Sequence, residues 1–141
     1  MHNANEQLVR LGELNDYKVA DGDPDPRGWA VVTTDGQRIG RVDDLIVDRE
    51  SERAHYLDVE LEQGGDRHVL IPTESVHLGR EERDRQQVAV GATLDYLTGV
   101  TPYRGLPLTP AQHEEYRSCP TPSFAFEKPD TRIHKGGTRH D

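Results

Sequence analysis

Seven histidines, one cysteine and a few groups of carboxylates are what this chain offers for chemistry, and their spacing decides how much of it is usable. His2, His55, His68, His77, His113, His134 and His140 are scattered, without the paired helical spacing of a zinc protease or the Cys–His pattern of a structural zinc site. His68 and His77 sit where two strands could bring them together, but a strand histidine in a small β-module reads as half-exposed packing. Cys119 lies between Ser118 and Pro120 with no base beside it, and Ser75 is an inter-strand serine. Neither a P-loop nor a dinucleotide fingerprint is present. The expectation is a protein that is not an enzyme and carries no metal and no cofactor.

The carboxylates give more to weigh. Asp43-Asp44 is an acid pair of the kind that metal or general-acid chemistry uses. Adjacent residues of a regular strand point to opposite faces, which works against convergence on one ion. Apolar residues also fall on both faces there, Val42 and Ile46 with Asp44, Leu45 and Val47 with Asp43. A β-bulge produces that mixture, so the pair reads as a strand irregularity with solvent-facing carboxylates. Asp21, Asp23 and Asp25 alternate like the start of a calcium loop. The sixth position is Pro26 instead of Gly and the twelfth is Val32 instead of Glu, so the segment reads as a proline-set turn. His113, Glu114 and Glu115 form the one local cluster suited to proton handling, on what otherwise reads as an exposed helix face.

The elements that must position these residues centre on residues 28–61. Trp29 to Thr33 is a β-branched run, Asp35-Gly36 a tight turn and Ile39 to Asp48 a second strand. Arg49 to Arg53 reverses the chain into Ala54 to Leu61. There Tyr56, Asp58 and Glu60 alternate with Leu57, Val59 and Leu61, which predicts one face against a core and one against water. His68 to Pro72 makes a fourth strand, Ser75 to Leu78 a short continuation, 79–87 a charged loop or hairpin tip, and Gln87 to Val90 the last strand. Upstream, Leu8, Leu11 and Leu14 in the segment Asn5 to Leu14 suggest a short amphipathic helix. Downstream, Thr109 as N-cap, Pro110 at the first helical position and Gln112 at the capping-box position predict a helix to about Ser118, stopped before Pro120.

This ordered set resembles the PRC-barrel family. The matching residues are Gly28, Asp35-Gly36, Ile39-Gly40, the run Val42 to Asp48, Tyr56 to Leu61 and Leu70-Ile71-Pro72, with continuations through Tyr17-Lys18-Val19 and down to about Tyr116. The resemblance is closest to the cytoplasmic domain of the photosynthetic reaction centre H subunit, here free-standing and without its transmembrane helix. It implies a mainly β fold: a small antiparallel barrel of five to six strands with a short C-terminal helix. The expected parts are an N-terminal extension with a short helix and Pro-rich turn (1–27), the barrel (28–92), a wrapping segment and helix (93–119) and a flexible tail (120–141). By the same resemblance Glu114, Glu115, Asp44 and Asp48 are the candidates for proton handling or docking.

Composition bounds the function. Of 141 residues 33% are hydrophobic and 30% charged, which suits a small barrel with a large surface and argues against a deep-pocketed enzyme. The formal net charge of −9 argues against sequence-independent nucleic-acid binding, which rests on Lys and Arg neutralising phosphates. A single cysteine allows no internal disulfide, no apolar run reaches a membrane span, and Met1 to Arg10 lacks the features of a signal peptide. A cytoplasmic address is the default. The resulting expectation is a scaffold or adaptor that docks on a protein partner or self-associates as a homodimer. The alternatives are a peripheral H-subunit-like component of a photosynthetic or quinone-linked electron-transfer complex, and a ribosome-maturation-type binding module.

Overall fold

A long hairpin, β4 (Arg38–Asp48) and β5 (Arg53–Leu61), is the frame on which the other elements are laid. The computed structural model describes residues 8–14, 17–20, 25–33, 36–63, 67–81, 85–120 and 133–135. The remaining elements are β1 (Leu8–Arg10), β2 (Tyr17–Val19), β3 (Ala30–Val32), β6 (Arg67–Pro72), β7 (Val76–Glu81), β8 (Arg85–Val90), α1 (Leu94–Gly99), α2 (Pro110–Arg117) and β9 (Ile133–Lys135). The main sheet runs β6-β5-β4-β3-β8-β7 and curls into a half-barrel. β4 is long enough for one edge to serve two partners, β3 along Arg38–Arg41 and β1 along Ile46–Asp48. Its other edge pairs with β5 throughout.

Two sequence features force this hairpin's shape. Gly40 lies so close to β5 that a Cβ would sit 2.3 Å from the carbonyl oxygen of Glu60, so only glycine fits the pairing. The register then shifts between Val42 and Asp44, leaving Asp43 as an extra, unpaired residue. The bulge expected from the two-faced hydrophobic pattern is there, and it bends β4 between its β3-paired and β1-paired halves. The core fills the concave side with Val31, Val42, Leu45, Val47, Leu57, Val59, Val69, Ile71, Val76, Val88 and Val90, all buried.

The strand boundaries agree with the sequence reading to within a few residues, and mainly β structure holds. Three expectations need correction. The sheet is not wholly antiparallel, because β3 pairs with β8 in parallel, which joins the β6-β5-β4-β3 half of the sheet to the β8-β7 hairpin. The segment expected as an amphipathic helix instead forms β1, followed by one 3-10 turn at Leu11–Glu13. Leu8 on the strand and Leu11 in the turn are both buried, so a three-residue leucine spacing is met without a helix. The polar face of β5 is only partly in water: Tyr56 and Asp58 are buried, and Glu60 is half-buried.

α2 covers Tyr56. It has the predicted capping box, in which Thr109 Oγ accepts from the Gln112 amide and Gln112 Oε1 accepts from the Thr109 amide. Tyr116 packs edge-on to Tyr56 with ring centroids 6.3 Å apart, and its hydroxyl donates to the carbonyl of Thr101. Within the C-terminal stretch, Ile133–Lys135 pairs antiparallel with β2, and the Ile133 amide donates to the carbonyl of Glu52. Among the described residues, no helix is long and apolar enough to cross a membrane.

Candidate functional site

The buried face of the bulge holds a carboxylate cluster gathered around Arg10. Asp44 and Asp58 stand directly opposite each other on β4 and β5, 5% and 1% exposed. Like charges in that relationship repel, and burial removes the water that would screen them. Arg10, at the end of β1, answers both. Its Nε donates to Asp44 Oδ2 at 3.2 Å, and its terminal nitrogen lies 4.0 Å from Asp58 Oδ2 and 3.7 Å from Asp43 Oδ2.

Each acid has a distinct environment. Asp44 accepts from the Leu45 amide at 2.8 Å and from the Gly12 amide at 3.2 Å, so its carboxylate anchors the N-terminal segment onto β4. A Cβ on Gly12 would meet Asp44 Oδ2 at 2.8 Å, which is why the turn beside the carboxylate carries glycine. Asp58 meets His68 Nδ1 at 2.7 Å through Oδ1. His68 is not its cross-strand neighbour, since Asp58 faces Leu70, but sits diagonally two residues along β6, within reach of a long side chain. Burial pushes the Asp58 carboxyl above its ordinary range; His68 and Arg10 pull it back only in part, while Asp43 adds to the rise.

Tyr103 is tied to β6 through its backbone. Its amide donates to the carbonyl of His68 at 2.8 Å, and the residue is 6% exposed. The hydroxyl is buried without a hydrogen-bond partner. Burial, reinforced by the negative charge of Asp58, pushes its pKa up to about 12, so it stays a neutral donor at any physiological pH.

The four candidate residues of the sequence reading do not come together. Asp44 belongs to the cluster just described. Asp48 lies at the far end of β4, where Oδ1 accepts from the amides of Glu50 and Ser51 and Oδ2 lies 3.7 Å from His55 Nε2, a turn-forming role. Glu114 is exposed on α2, and Glu115 Oε2 accepts from the Thr101 amide, holding α2 to the chain before it. His113 turns the other way, its Nδ1 2.9 Å from the Tyr56 hydroxyl.

Asp43 and Asp44 do not diverge as neighbours on a regular strand would, because the bulge re-aims both toward Arg10. Nor is the pair fully in solvent, since Asp44 is buried. Asp58 and His68 were not singled out together by sequence. The available signal was an acid at the centre of an otherwise apolar run facing a histidine-bearing strand. Of the calcium-like triplet, Asp21 and Asp23 lie outside the described residues, and Asp25 forms a fork with Arg27 at 2.7 and 2.9 Å. Ser75 is buried and donates to the carbonyl of Cys119. Burial pushes the Cys119 thiol up to about 12, which leaves it a poor nucleophile.

A curled sheet forming a half-barrel, with a short helix packed on it, is the architecture these residues define. The family model of the PRC-barrel domain matches residues 18–91, more than half of the chain, and the chain belongs to that family. It is a scaffold-type domain, and no enzymatic family is indicated.

Proposed function

We propose that this PRC-barrel chain is a docking scaffold that binds a protein partner, or a second copy of itself as a homodimer, along the outer edge of β7. The observation that carries this reading is the unequal treatment of the two ends of the sheet. The β6 end is covered: the Tyr103 amide takes the His68 carbonyl, and Arg67 reaches the carbonyls of Thr98 and Val100. On β7 only the β8 side is paired among the described residues. A row of unpaired backbone groups is a template for an added strand, and main-chain pairing there gives affinity without a pocket.

The test is light scattering after gel filtration, with hydrogen exchange read at 76–81. The expected result is a mass above one chain, from self-association or a copurifying protein, with slower exchange along β7 in the complex. A chain that stays monomeric, retains no protein on capture at low salt and exchanges β7 amides freely overturns the reading.

A further inference from the structure

The carboxylate cluster has more acceptors than its resident cation satisfies. Asp43, Asp44 and Asp58 bring three carboxylates to one Arg10 guanidinium, and only its contact with Asp44 is a hydrogen bond. One ligand atom from each of Asp43, Asp58 and His68 lies within 4.8 Å of the others, a wider span than the roughly 3.4 Å between ligands of one tetrahedral ion, so side-chain rotation on binding would have to close it. A second feature points the same way. The Tyr103 hydroxyl is a buried donor with no partner, and the charged groups acting on it are Asp58, Arg10, Glu13 and Asp44. A buried hydroxyl left unpaired is costly, and a water held on an ion beside Asp58 would satisfy it.

We propose that Asp43, Asp58 and His68 form a binding site for a zinc-class divalent cation, in competition with Arg10. Two carboxylate oxygens and one imidazole nitrogen favour a borderline first-row ion over calcium or magnesium, which prefer oxygen alone. Three protein ligands leave a fourth position for water, and the Tyr103 hydroxyl is the unpaired buried donor on which the charge of Asp58 acts. Asp43 and Arg10, each 35% exposed at the side chain, form the entry. Binding requires the guanidinium to give way, so the ion and Arg10 are alternative occupants of one field. This inference concerns the interior of the barrel and is independent of docking at β7.

The experiment is titration of the full chain with Zn2+ by calorimetry, and with Co2+ by visible absorption, in the wild type and in Asp43→Asn, His68→Gln and Arg10→Ala. Unfolding curves without metal check that each variant is folded. The expected result is one saturable equivalent in the wild type, weakened at least about tenfold in Asp43→Asn and His68→Gln, since each loses a ligand. Arg10→Ala is expected to bind more tightly than wild type, the opposite sign to its effect on metal-free stability. Saturable binding that survives both ligand variants places the ion elsewhere on the chain, and overturns the proposal. So does an absence of binding in wild type and Arg10→Ala alike, or a preference for Ca2+ over Zn2+.

Discussion

Asp44 and Asp58 are directly opposed across β4 and β5, two buried carboxylates in one cross-strand pair, and the only guanidinium within 4.0 Å of both among the described residues is Arg10. The fold therefore ties a strand near its N-terminus to the middle of its barrel by charge as well as by β-pairing. Arg10→Ala is expected to destabilise the chain by about 1–3 kcal/mol, the cost of leaving buried acceptors unpaired rather than the worth of a surface ion pair. Asp58 has a raised folded pKa, so its charge costs the fold most above that pKa. The defect in Arg10→Ala should shrink as pH falls through it, because a protonated Asp58 no longer needs the guanidinium. Urea midpoints of wild type and variant across the acid range check both the size and the trend.

The contact between Tyr56 and His113 predicts a pH dependence of the other kind. His113 is held below its ordinary pKa by burial, then by the positive charge of Arg117 and His55. In the unfolded chain it protonates near 6.5, so below that pH the unfolded state binds more protons than the folded one. The contribution is present in full above about 6.5 and is lost as pH falls through the lower folded value. Protonation makes Nδ1 a donor whichever tautomer the neutral ring holds, so the Tyr56 hydroxyl 2.9 Å away can then only accept from it. His113→Gln should flatten the stability profile between about pH 7.5 and 5.5 relative to wild type. Parallel profiles would show that α2 docks without regard to this proton.

How much of this could be read from residues alone depended on range. Period-two alternation and turn residues located β3 to β6 and β8, and apolar residues on both faces of β4 located the bulge, because all of these are local signals. The capping box of α2 was equally local. The cluster was not. Arg10 and Asp44 are 34 positions apart, and neither residue type says that β1 will lie along β4. The polar face of β5 was expected in water for the same reason: alternation reports which side of a strand is polar. It does not report that α2 and the segment 8–14 come back to cover that side. The parallel β3–β8 pairing also joins residues far apart in sequence, through a register that no turn specifies.

Gly40 gives a sharp test of the hairpin itself. The atom that a Cβ would strike is the backbone oxygen of Glu60, with the Leu61 Cα also at 3.2 Å, so no side chain can rotate away to make room. Gly40→Ala must open the Gly40–Leu61 pairing and the neighbouring bond from the Glu62 amide to the Ile39 carbonyl, 3.0 Å long. A loss of about 2–4 kcal/mol is expected, in the range of overpacking combined with broken pairing. Hydrogen exchange should quicken first at 60–62. A variant as stable as wild type would mean that β4 and β5 do not approach this closely.

Tyr103 separates the interior's metal-free and metal-bound demands. Its ring is part of the buried core, and its amide bond to the His68 carbonyl does not depend on the hydroxyl. Tyr103→Phe therefore removes a buried donor that has no partner, at almost no change in shape. Deleting an unsatisfied polar group relieves its desolvation cost, so the metal-free variant should gain about 0.5–2 kcal/mol. The same deletion withdraws an unpaired neutral donor on which the charge of Asp58 acts. If an ion with a bound water occupies the site, the variant should gain less from Zn2+ than wild type does, and the two unfolding curves should draw together as metal is added. A Phe variant that is less stable without metal would show that the hydroxyl is already satisfied, by a water bridging it to Asp58 or Asp44, and the interior would then be complete with Arg10 alone.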